Sequence, residues 1–149
     1  MRGRLRVWLL ACAALLALWQ GAVLAQGAPG AVSSNDTKAL QQVIRDQLAA
    51  FAQDDAARAF SYATPGIRGV FGTPENFMAM VRTSYPVVYR PASVIFLKPE
   101  QDGDQVLQPV QMSDSDGIVW IALYTMQRQG NGAWLTNGCQ LARSRGQVT

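Results

Sequence analysis

The hydrophobic period of this chain changes once, near Val87, and that change restricts the fold more than any motif does. Before it, apolar residues recur at helical spacing, and Leu40, Val43, Ile44, Leu48 and Phe51 form one continuous stripe. After it the period is two, and turn-forming clusters arrive at regular intervals, at Asp102-Gly103-Asp104, Ser113–Gly117 and Arg128–Gly132. Such punctuation reads as consecutive hairpins. Helices followed by a meander imply an α+β domain: three N-terminal helices packed on one face of a curved antiparallel sheet of about four strands.

Local signals place the elements. Ser34 or Asn35 is the expected N-cap of the first helix, with Asp36 at the positive end of its dipole and the last turn near Gln53. Asp54-Asp55 reads either as a carboxylate couple or, more simply, as the cap of a second helix from Ala56 to about Tyr62. Thr64-Pro65-Gly66 breaks the helical pattern. Gly66, Gly69 and Gly72 read as a loop, not as a dinucleotide fingerprint, because no strand precedes them. Thr73-Pro74-Glu75 combines an N-cap, a proline at the first helical position and an early acid, so a third helix runs to about Ser84. Val87–Tyr89 reads as a short extended segment. Strands are expected over Ser93–Leu97, Val106–Met112, Ile118–Gln127 and Ala133–Leu141. Pro109 has no N–H to give a ladder, which points to an edge strand or a bulge.

Charge and thiol content bound the compartment and the partners. Arg2, Arg4 and Arg6 precede an apolar run from Val7 to Trp19, of secretory length and short for a bilayer span. Small residues end at Ala25, ahead of Gln26, as at a cleavage site. Residues 1–25 are therefore expected to be a signal peptide, taken by the Sec route because no adjacent arginine pair is present. The protein is then periplasmic or secreted. Two alternatives stay open: an uncleaved anchor, and lipidation at Cys12 of the box Leu9-Leu10-Ala11-Cys12, which only Val7 and Trp8 precede as apolar run. A flexible leader (26–36), one α+β domain (37–141) and a polar tail (142–149) complete the plan. Removing the signal takes the net charge from +3 to zero, with ten basic and ten acidic side chains. A neutral domain has no electrostatic footprint for nucleic acid or for an anionic membrane. Cys139 becomes its one thiol. It reads as a buried hydrophobe sharing a face with Leu135 and Leu141, against an intermolecular disulfide or a reactive thiol.

Several chemistries are excluded outright. The chain has no histidine, which removes Ser-His-Asp and Cys-His catalysis and His-ligated zinc or haem. Asp114-Ser115-Asp116-Gly117 matches part of a calcium loop, but the alignment sets Leu123 where a carboxylate is needed, so it reads as a hairpin turn. None of the ten acids falls inside an expected strand, where an apolar pocket would raise its pKa. No catalytic residue, metal ligand or cofactor site is expected.

What remains is apolar surface. Ile118, Trp120, Ala122, Tyr124 and Met126 share one face of the longest strand, and Val119, Ile121, Leu123 and Thr125 share the other. A half-solvated strand alternates with polar residues, so both faces are expected to be covered. The helices cover one. The face of Trp120 and Tyr124 is expected to meet something else: the same face of a second copy, a small apolar ligand, an envelope protein, or the curled remainder of its own sheet. Ile118, Trp120, Tyr124, Met126 and Trp134 are the candidate ligand or interface residues.

Phe51–Ala63 resembles the helical opening of nuclear transport factor 2-like domains, an α+β cone whose curved sheet surrounds a cavity. Three further stretches, Phe71–Phe77, Tyr124 in its strand and Trp134–Leu141, resemble an exported bacterial family, domain of unknown function 4864, over about residues 37–141. The resemblance implies fold and export, and no chemistry. Enzymes of the wider superfamily place an Asp, Tyr or His inside the cone, whereas this chain lacks His and an evident inward acid. The expected function is a non-enzymatic binding or interaction module, with a small apolar pocket between helices and sheet or a sheet-face interface. The alternative is an enzyme that pairs Tyr62, Tyr85 or Tyr89 with a carboxylate in the cone.

Overall fold

The computed structural model describes residues 30–144. The expected signal peptide, with Ala25 and Gln26 at its cleavage point, lies outside the described residues.

Helix α1 (Ser34–Ala52) begins one residue earlier than the expected caps allow, inside the segment read as leader. Ser33 is its N-cap, and the Ser33 hydroxyl oxygen accepts the Asp36 N–H at 3.0 Å. Its buried side carries Leu40, Ile44, Leu48 and Phe51, as the stripe requires, together with Gln47. In α2 (Ala56–Ser61) the Asp55 carboxylate accepts the Arg58 N–H, so this half of the acidic pair is a cap. The glycine-spaced segment departs from expectation: it is helix α3 (Pro65–Phe71), ended by Gly72 at φ +75°. Thr64-Pro65 supplies the same N-cap and first-turn proline as Thr73-Pro74. That start signal outweighs a glycine cost of about 1 kcal/mol per residue. Helix α4 (Pro74–Ser84) follows its Thr73 cap as expected. Val87–Tyr89 is not extended but closes a helical turn, α5 (Pro86–Tyr89), again with proline first.

The sheet has five antiparallel strands, β1 (Ser93–Phe96), β2 (Glu100–Asp102), β3 (Gln105–Ser113), β4 (Val119–Arg128) and β5 (Trp134–Arg143). Their order is β1-β3-β4-β5, and the short β2 also pairs with β3. The class is α+β, as the change of period requires. Pro109 lies not on an edge strand but within β3, between β1 and β4. It is tolerated because β1 and β2 share that side of β3 and leave it opposite Leu97, between them. The Leu97 N–H still donates to the Pro109 carbonyl at 3.0 Å. The reciprocal donor of such a pair is missing. The buried Gln108 amide replaces it, donating from Nε2 to the Leu97 carbonyl at 2.7 Å, while its Oε1 accepts from Gln41 of α1 at 3.0 Å.

The core corrects the expected orientation of β4. Ala122, Tyr124 and Met126 are buried beneath α1, α4 and α5, beside Val106, Val110 and Met112 of β3. The helices therefore cover the face of Trp120 and Tyr124. Val119, Ile121, Leu123 and Thr125 form the outward, half-buried face. Apolar residues on both sides of β4 left the choice open. The register with β3 decides it, because Val110 and Met112 stand opposite Ala122 and Trp120.

A bulge corrects β5. Thr125 stands opposite Gly138 but Met126 stands opposite Thr136, so Asn137 is the extra residue. One extra residue reverses the alternation beyond it. Trp134 and Thr136 point inward before the bulge, and Cys139 and Leu141 after it. Cys139 thus shares a face with Leu141 and not, as expected, with Leu135.

Candidate functional site

A cavity of about 190 Å³ lies between the helices and β4–β5. Tyr124, Thr136 and Cys139 form its sheet side. Phe51 of α1, Ile67 and Phe71 of α3, and Phe77 and Met80 of α4 contribute to the opposite wall. The Phe77 ring ties that wall together, with ring centroids 6.0 Å from Phe51 and 5.5 Å from Phe71. The bulge is what puts both Thr136 and Cys139 at the cavity. It is also where the α2–α3 link is pinned to the sheet. The Thr64 hydroxyl donates to Asn137 Oδ1 at 2.8 Å, the Thr64 N–H to the Thr136 carbonyl at 3.0 Å, and the Thr136 N–H to the Tyr62 carbonyl at 2.8 Å.

The polar groups of the lining are nearly all engaged. Gln47 donates from Nε2 to the Ala59 carbonyl at 3.0 Å and accepts the Thr136 hydroxyl on Oε1 at 3.0 Å. The Tyr85 hydroxyl donates to the Cys139 carbonyl at 3.1 Å. Tyr124 differs: it is 1% exposed, and its hydroxyl meets no hydrogen-bonding partner from the protein. Burial, and then the neighbouring Cys139, push the Tyr124 hydroxyl well above its ordinary range. Burial pushes the Cys139 thiol up to about 12. At neutral pH both groups keep their protons, so they are neither nucleophiles nor bases. Among the described residues, no Asp, Glu, Lys or Arg lines the cavity. The site can hold an uncharged molecule and offer it a hydrogen bond.

The sequence-derived candidates scatter. Tyr124 is at the cavity, and the other four are not. Met126 is wholly buried in the core, with the Thr136 hydroxyl 3.9 Å from its sulfur. Trp120 donates its indole N–H to Asp114 Oδ2 at 3.0 Å, and the Ile118 N–H donates to Asp114 Oδ1 at 2.9 Å, so both hold the β3–β4 turn. Trp134 packs at the start of α1, its indole N–H 3.3 Å from Asp36 Oδ1 and its ring beneath Arg128. A tyrosine–carboxylate pair does exist, Tyr89 with Asp54, but on the exposed surface beside Arg82 and Arg90 and away from the cavity. Of the other two tyrosines considered for catalysis, Tyr85 lines the cavity with its hydroxyl engaged, and Tyr62 does not line it. Sequence reasoning missed Ile67 and Phe71, which fell in the segment read as a loop. Thr64-Pro65 was the signal that could have found them.

The family model for a domain of unknown function (DUF4864) matches residues 33–149. No curated protein matches the chain. A solved structure, the 1.8 Angstrom structure of Aln2 from a Streptomyces species, is similar at a TM-score of 0.48 and 14% identity, over 76% of this chain and 94% of that one.

Proposed function

We infer that this chain, which belongs to the DUF4864 family, is an exported, non-enzymatic binding module whose cavity takes a small, mostly apolar molecule. The observation that carries the reading is that Tyr124, a residue lining an apolar cavity, buries its hydroxyl without a partner among the described residues. Folded proteins pair almost all such groups, and exceptions call for a partner from outside the fold. The volume is sufficient for one ring, since an apolar cavity of about 150 Å³ binds benzene. With no ionised side chain among the described lining residues, the cavity supplies no general base at neutral pH. Export rests on the arginine-led apolar run and the Ala25–Gln26 site, and the family match begins downstream of both. Helices over one face of the sheet, with a cavity between them, support a nuclear transport factor 2-like relationship.

Native mass spectrometry of protein exported from its host, followed by titration with toluene, tests the reading. The expected results are a chain beginning at Gln26, and saturable toluene binding that Met80→Trp abolishes by filling the cavity. A wild-type protein with no retained molecule and no saturable binding overturns it.

The outward sheet face favours a second reading, a homodimer. Ile95, 52% exposed, and the half-buried Leu107, Pro109, Ile121 and Leu123 lie on it. No charged side chain occupies an outward register position of β1, β3 or β4. Glu100 and Asp102 of β2, opposite Leu107 and Gln105, carry charge at one end of this face, while its middle is uncharged and suits a second copy of itself.

A further inference from the structure

We propose that the cavity selects uncharged single-ring molecules bearing one hydrogen-bond acceptor, such as a ketone or ether oxygen, and that the Tyr124 hydroxyl is the group that selects them. The inference rests on the binding reading above and sharpens it. Gln47, Thr136 and Tyr85 spend their donors on protein acceptors. Tyr124 keeps a donor to offer, from the inward face of β4 and with its side chain wholly enclosed. An enclosed donor penalises any occupant that cannot accept from it, because that occupant leaves the hydroxyl unpaired. A site built to bond a polar group therefore discriminates more sharply than an apolar pocket of equal size. Charged occupants are disfavoured by the same surroundings, because no side chain of opposite charge lines the cavity.

Acetophenone and α-methylstyrene test this. They share ring, planarity and size, and differ in carrying C=O or C=CH2. The alkene is the more hydrophobic, so the deciding quantity is the affinity ratio in wild type against the ratio in Tyr124→Phe. The expected change is about tenfold in favour of the ketone in wild type, lost in the variant. A second measurement needs no variant: the carbonyl stretch of bound acetophenone should fall in frequency as it accepts the tyrosine proton. If both probes bind saturably with an unchanged ratio and an unshifted carbonyl, the selector is refuted while the cavity stands as a binding site. That is also the outcome expected if a water, not the ligand, pairs with Tyr124. If neither probe binds, the binding reading fails and this inference fails with it.

Discussion

Single residues in this protein are held in place by what their neighbours lack. Pro109 cannot donate to Leu97, and Gln108, next to it in the chain, supplies the missing donor from its side chain. Gln108 is wholly buried, so its amide is satisfied within the protein, by Leu97, Pro109 and Gln41. Gln108→Leu keeps nearly the same volume and removes all three bonds, leaving the Leu97 carbonyl and the Gln41 amide short of partners. A buried group left unsatisfied costs about 1–3 kcal/mol, so chemical denaturation should show a loss of that order with an unchanged denaturant slope. A loss below about 0.5 kcal/mol would mean that solvent reaches the gap between β1 and β2. Cys139 shows the opposite economy: it has no charged neighbour to lower its pKa, burial raises it, and it serves the cavity as apolar wall.

Elements are tied together where the chain turns, and Asp54 makes one such tie. It follows α1 in the left-handed region, at φ +55°, and accepts from Arg82 at the end of α4 and from Tyr89 and Arg90 at α5. The Tyr89 hydrogen bond, and then the Arg82 bond, hold its carboxyl below its ordinary value of 3.8. A carboxylate whose pKa is depressed by folding stabilises the fold fully above its unfolded pKa, and that stabilisation is lost as pH falls through the folded pKa. Asp54→Asn tolerates the left-handed backbone and removes the charge. Wild type should therefore melt above the variant at about pH 7, and the gap should close below about pH 4. A gap that stays constant across that range would assign the contact no electrostatic role. The sequence displayed some of these elements and hid others. Ser34-Asn35, next to the actual cap Ser33, together with Asp55 and Thr73-Pro74-Glu75, announced helices because caps are local. Thr64-Pro65 announced another, masked by the glycines after it. The faces of β4 were unreadable because both are apolar, and they are settled only by pairing with β3. The Asn137 bulge is a property of two strands together. Tyr124 and a pocket between helices and sheet were therefore legible, while the walls that α3 and the bulge give the cavity were not.

At the scale of the whole molecule, the helices among the described residues cover one sheet face and leave the other open. Val119, Ile121, Leu123 and Thr125 of β4 lie there with Leu107 and Pro109 of β3. The two faces predict opposite responses to substitution. Trp120→Ser with Tyr124→Ser removes aromatic packing from beneath the helices, where losing a buried aromatic costs about 3–5 kcal/mol, and should destabilise or unfold the domain. Ile121→Lys with Leu123→Lys places charge where no helix lies, so the fold should persist. If two copies meet through this face, a two-fold axis brings the introduced lysines of both copies into one interface. Like charges there cost several kcal/mol and should split the assembly. Sedimentation of the wild type should thus report a dimer, and that of the lysine variant a monomer with an unchanged circular dichroism spectrum. A monomeric wild type would show that the chain tolerates this face in water, and a variant that remains dimeric would place the contact elsewhere.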